Sequence, residues 1–143
     1  MPFEPQNIPV NVFSGVITAF AVLDPAGLQP TTIMRTTDTW HVQIAWRIDG
    51  IIANALAGTW QVRALLESIG PGFEGQVGPT VPINLNVDPT APRDYNVLIT
   101  VPAGTPPAGT YKLVVVINYF ELTGQPGFMA GYQEGPILQF FNP

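Results

Sequence analysis

Alternation of apolar and polar residues is the feature that most limits what this chain can fold into. In residues 39–49, Trp40, Val42, Ile44, Trp46 and Ile48 share one face of an extended chain. His41, Gln43, Ala45, Arg47 and Asp49 share the other. A period of two sends successive side chains to opposite faces, so this apolar set is buried only if the segment joins a sheet. Residues 59–67 repeat the pattern, with Trp60, Val62, Ala64 and Leu66 inward and Gln61, Arg63 and Glu67 outward; Leu65 is the exception. Tyr95, Val97, Ile99 and Val101 alternate with Asn96, Leu98 and Thr100. Val81, Ile83, Leu85 and Val87 alternate with Pro82, Asn84 and Asn86. Proline has no N–H to give to a ladder, which assigns that run to a sheet edge or a bulge.

Residues 111–120 depart from alternation. Leu113, Val115, Ile117 and Tyr119 oppose Val114, Val116 and Phe120, so both faces are apolar. Such a strand is covered on both sides by its own chain, or on one side by a partner. Further strands are expected at about residues 12–23 and 137–141. Turn signals separate the runs: Asp24-Pro25-Ala26-Gly27, Gly70-Pro71-Gly72, Asp88-Pro89 and the segment from Pro102 to Gly109. No segment carries a helical period; residues 51–57 fit either one turn or a prolonged strand. The 143 residues suit one domain whose core needs no disulfide or metal, and the chain has no cysteine. The expectation is a single all-β domain over residues 1–143, with an extended N-terminal arm at 1–9. It is an antiparallel sandwich of about seven to eight strands.

One short motif is more specific. Ala108-Gly109-Thr110-Tyr111-Lys112-Leu113-Val114-Val115 resembles the start of the penultimate strand in immunoglobulin-like and fibronectin-type-III-like sandwiches. The resemblance implies a tyrosine corner at Tyr111, its hydroxyl bonded to nearby backbone. It also implies core tryptophans on an early strand, here Trp40 and Trp46. The chain departs from the antibody pattern in lacking a cysteine pair.

Composition narrows function. Charged residues are 10% of the chain, against about 25% in typical domains. The net charge is −5, and the cations Arg35, Arg47, Arg63, Arg93 and Lys112 are scattered, which argues against nucleic acid and anionic membranes. No run approaches the roughly 18 apolar residues of a spanning helix, so no membrane insertion is expected. No basic segment precedes an apolar stretch at the N-terminus, so no secretory signal is expected. His41 is the only histidine, and Ser14 and Ser68, the only serines, lie in no nucleophile-elbow motif. Catalysis is therefore not expected, nor is a cofactor. Asp88 and Asp94 flank a Pro-rich loop and are weak calcium candidates; each is read more simply as a turn or ion-pair residue. Glu67 and Glu74 are a weak glycosidase pair with nothing to fix their separation.

The remaining candidates point to contact with other molecules. The glycine-rich stretches 70–78 and 124–132 read as loops presenting Phe73 and Phe128, Met129 and Tyr132. Aromatic and methionine side chains anchor interfaces. With them stand Val114, Val116, Phe120 and Phe140 as contact candidates. Trp40, Trp46 and Trp60 fall in phase with aliphatics and are assigned to the core rather than to a sugar platform. The expected function is a non-enzymatic structural module that self-associates, as a homo-oligomer or a subunit of an assembly such as a surface fibre or virion component. The alternative is a ligand-binding module, carbohydrate being the favoured ligand.

Overall fold

The computed structural model describes residue 3 and residues 13–27, 29–85 and 92–143, the side chains of Asn54 and Phe128 excepted. Eight strands follow in chain order: β1 (Ser14–Leu23), β2 (Ile33–Arg35), β3 (Trp40–Asp49), β4 (Gly58–Ser68), β5 (Gly75–Leu85), β6 (Arg93–Val101), β7 (Gly109–Glu121) and β8 (Pro126–Phe141). A single 3-10 turn at Ile52–Ala55 joins β3 to β4, and no α-helix occurs among the described residues. The strands form two sheets, ordered β1-β3-β6 and β2-β8-β7-β4-β5, one of them curled into a half-barrel. The all-β, two-sheet architecture is thus the one the alternation implies.

Pairing is antiparallel throughout except between β2 and β8, which run parallel through Ile33–Gln139, Met34–Phe140 and Arg35–Phe141. A wholly antiparallel sandwich was the expectation, and this pair corrects it. The chain leaves β1 through a turn closed by Gly27 N–H to the Asp24 carbonyl, then crosses to the other sheet. Thr31 N–H still bonds Val22, while Gln139 N–H already bonds Thr32, so these residues bridge the two layers. Three residues of β2 are too few to show a period, and the sequence gives no sign of them.

The alternating strands bury most of the sets assigned to them; Val81, Ile83 and Tyr95 are half-buried, and Val87 lies outside the described residues. Trp40, Val42, Ile44, Trp46 and Ile48 of β3 and Trp60, Val62 and Ala64 of β4 are fully buried. Pro79 and Pro82 lie in β5, which pairs only with β4 and forms the edge that a proline requires. Gly78 in the same strand has φ +70°, and a Cβ there would meet Ile99 at 3.0 Å, so glycine lets β5 close against β6. Arg93, at the start of β6, is 9% exposed. Its guanidinium donates to the carbonyls of Ala53 and Leu56 at 3.2 and 3.4 Å and lies 5.6 Å from the Tyr95 ring centroid. It caps the 3-10 turn rather than forming a surface charge.

The largest correction is β8. Residues 124–132 read as an exposed loop, yet from Pro126 they form the first half of a sixteen-residue strand. Gly127, Gly131 and Gly135 all lie in this strand, and none has a positive φ that would demand glycine. Each instead leaves room for a ring: a Cβ at Gly127 would collide with Tyr119, at Gly131 with Phe3, and at Gly135 with Phe20. The strand lost its side chains where rings from elsewhere take the space. Register shifts between Lys112 and Val114 and between Asn118 and Phe120 absorb its irregularity.

The Tyr111 hydroxyl donates to the Pro107 carbonyl at 2.8 Å, four residues upstream. Its ring is 2% exposed and packs edge-on against Phe140 and Phe73. Burial holds its phenol above the usual tyrosine range. The bond pins the loop between β6 and β7 where it enters the core. Tyr111→Phe keeps the ring and strands the carbonyl, so denaturant unfolding should show a loss of about 1–2 kcal/mol with an unchanged slope.

Candidate functional site

The two sheets have outer faces of different character. On β1-β3-β6 the outward residues include His41, Gln43, Arg47, Asp94, Asn96 and Thr100, with Val16, Ala19, Ala21, Ala45 and Leu98 among them. Arg47 and Asp94 form a two-point ion pair at 2.7 and 3.2 Å. Hydrogen bonding to Asp94 raises the Arg47 pKa, and hydrogen bonding to Arg47 lowers that of Asp94. Asp94 is thus held in an ion pair with Arg47 across the strands rather than free for calcium. Asp88 lies outside the described residues. Among the described residues no three His, Asp or Glu side chains gather where a metal could sit. His41 bonds the Thr100 hydroxyl at 3.1 Å and the Pro25 carbonyl at 3.3 Å, a fixing role for the turn after β1.

The outer face of β2-β8-β7-β4-β5 carries larger apolar side chains. Directly opposite residues of neighbouring strands share a face. Arg63, Val116 and Tyr132 therefore form one row across β4, β7 and β8, and Leu65, Val114 and Glu134 form the next. Glu67, Lys112 and Ile137 form a third, and Thr59, Phe120 and Pro126 a fourth. Tyr132 is 46% exposed and Ile137 50%, while Leu65, Val114, Val116 and Phe120 are half-buried by their neighbours. Toward β2, Ile33 at 63% and Phe141 at 42% extend the apolar area. Lys112 and Glu134 pair at 2.9 Å within it. This bond to Glu134 raises the Lys112 pKa, and Glu67 adds to the effect. The face thus carries apolar side chains on either side of a polar Gln61–Asn118 pair, and charges of both signs, Arg63 and Lys112 beside Glu67 and Glu134.

Of the sequence candidates, Val114, Val116, Phe120 and Tyr132 come together on this face. Met129 and Phe140 do not. They are 3% and 2% exposed and belong to the core, because β8 points them inward, Phe140 against Trp40 and Tyr111. Phe73 folds back to half-burial, its ring 6.5 Å from that of Tyr111, so the β4–β5 turn does not present it as a free anchor. The side chain of Phe128 is outside the described set. Trp40, Trp46 and Trp60 are all core residues with no exposed surface. Sequence reading pointed to Phe141 as surface a partner would cover but missed Ile33, Leu65 and Ile137 on this face. Only Leu65 carried a signal, as the apolar residue out of phase in its strand.

Surface grooves lie among the described residues. One, of about 490 Å³, lies beside Phe20, Pro30, Thr31 and Pro136. Another, of about 640 Å³, lies beside Thr36, Gly104, Pro107 and Asn142. Their described linings hold no titratable side chain.

No family model matches the chain, and no curated protein does. Among solved structures, a β-glucosidase from Listeria innocua in complex with glucose matches with a TM-score of 0.44 and 9% identity. The match covers 85% of this chain and 16% of that one, so this chain spans about a sixth of the enzyme's length. A likeness so remote carries no argument about activity.

The faces of β7 are separable by substitution. Val115→Glu places a carboxylate in the core and should abolish cooperative thermal unfolding. Val116→Glu, on the outer side beside Arg63, should keep a cooperative thermal transition.

Proposed function

We propose that this chain is an immunoglobulin-like sandwich that acts as a non-enzymatic contact module and self-associates through the outer face of β2-β8-β7-β4-β5. The strand order, with β2 shared onto the larger sheet beside β8, and the Tyr111 corner at the start of β7 support the immunoglobulin-like reading. The contact reading rests on one observation. The central strand of the larger sheet, β7, carries Val114, Val116 and Phe120 on its outer side beside Lys112 and Asn118, and among the described residues no layer of its own chain covers them.

A second copy is the favoured partner because the face is self-complementary. Arg63 and Lys112 lie within a row or two of Glu67 and Glu134, so a two-fold pairing can set each cation near a carboxylate. The low charge of the chain acts in the same direction, since few lysines guard its faces and edges. The carbohydrate reading is weaker. The tryptophans are buried and Phe73 packs on Tyr111, leaving Tyr132 as the well-exposed ring among the described side chains of the aromatic candidates.

Light scattering at high micromolar concentration should give at least twice the monomer mass for the native protein. Val116→Glu with Tyr132→Glu should return it to the monomer with unchanged circular dichroism. A native protein that is strictly monomeric would refute self-association.

A further inference from the structure

Asp49 and Gly50 stand where β3 runs out of partners. Asp49 still pairs with Ser14 of β1, while the ladder to β6 ends one residue earlier, at Ile48 with Arg93. The Gly50 N–H turns instead to the side chain before it and donates to Asp49 Oδ1 at 2.8 Å. Aspartate makes such local bonds where the backbone leaves a ladder. Oδ1 is bonded to Cγ, so the Gly50 nitrogen sits close to the carboxyl carbon of its neighbour. Gly50 has φ +103°, a left-handed conformation that favours glycine, and with no Cβ nothing shields that nitrogen. Asp49 is exposed, so water reaches it. Of all the Asp and Asn residues in the chain, Asp49 alone precedes a glycine.

We propose that Asp49-Gly50 is a site of spontaneous backbone rearrangement, in which aspartate becomes isoaspartate with water as the sole co-reactant. The Gly50 nitrogen attacks Cγ of the carboxyl group in its protonated form. A C–N bond forms, a C–O bond breaks, and the displaced hydroxyl leaves as water with the proton of the nitrogen. The product is a five-membered succinimide closed through N, C, Cα, Cβ and Cγ. Water then adds to one of the two imide carbonyls and a C–N bond breaks. Opening at Cγ restores aspartate; opening at the main-chain carbonyl leaves the chain running through Cβ and Cγ. Water lost equals water gained, nothing is oxidised, and the net charge is unchanged. The rearranged chain carries one more methylene at the exit of β3. The 3-10 turn that follows is fastened there, by Ala53 N–H to the Gly50 carbonyl at 3.2 Å and by Arg93 to the Ala53 carbonyl. A longer link shifts that turn against the buried guanidinium, so conversion weakens the β3–β4 connection. The site lies on the smaller sheet and is independent of the self-association reading.

The native protein is held for weeks at physiological temperature and pH, and isoaspartate is located by electron-transfer fragmentation of its peptides. It should accumulate at position 49 no more than about tenfold slower than in a synthetic peptide of residues 45–53, because misplacing a reacting atom by about 1 Å costs about a hundredfold. Greater retardation in the folded protein overturns the proposal, as does isoaspartate confined to other positions. Asp49→Asn should react through the same ring, with ammonia leaving in place of water, and faster than the native residue. An Asp49→Asn protein that keeps its amide over the same period also overturns the proposal. Asp49→Glu should keep its native link, since closure there needs a six-membered ring; conversion at the native rate would refute the five-membered route. The converted fraction, separated by ion exchange, should melt a few degrees below the unconverted one. Equal melting temperatures would refute the coupling to the 3-10 turn.

Discussion

The fold is organised around Trp60. Phe3, Trp46, Tyr95 and Tyr119 surround it with ring centroids 5.7–5.9 Å away, most of them edge-on. These rings come from β3, β6, β7 and the N-terminal segment, so one indole joins both sheets and the seam between them. Edge-to-face packing adds a directional preference to the burial of large apolar area, and it fixes the spacing of the layers. The indole N–H groups of Trp46 and Trp60 are buried without an oxygen or nitrogen acceptor among the described residues.

The glycine pattern of β8 follows from that cluster. Bulky rings at Phe3, Phe20 and Tyr119 need space at the inner surface of the last strand, and Gly131, Gly135 and Gly127 supply it. Small residues opposite large ones let a sandwich close to the density of a protein interior. The same accommodation removes the apolar signature by which a strand is recognised. A strand that receives rings looks, in one dimension, like a loop.

The two faces of β7 illustrate a related division. Leu113, Val115 and Ile117 are buried against the smaller sheet, and Val114 and Val116 lie half-covered by their strand neighbours. Both sets are aliphatic, so composition cannot separate core from surface. Register does. Once Leu66 pairs with Leu113 and Tyr111 is tied to Pro107, every second residue is assigned to the interior. The outward set then joins Leu65 and Tyr132, residues far apart in sequence.

By itself the sequence determined the β class, the strands whose alternation is clean, the edge position of the proline-bearing strand and the burial of all three tryptophans. These depend on local chemistry: a period of two, a missing N–H, a ring in phase with aliphatics. Tertiary structure alone decided the parallel β2–β8 pair, the inward turn of Met129 and Phe140, the pairing of Asp94 with Arg47, and the slot for Phe3. Each depends on what lies across a gap between distant segments, and a glycine records only that something is there, not which ring it admits.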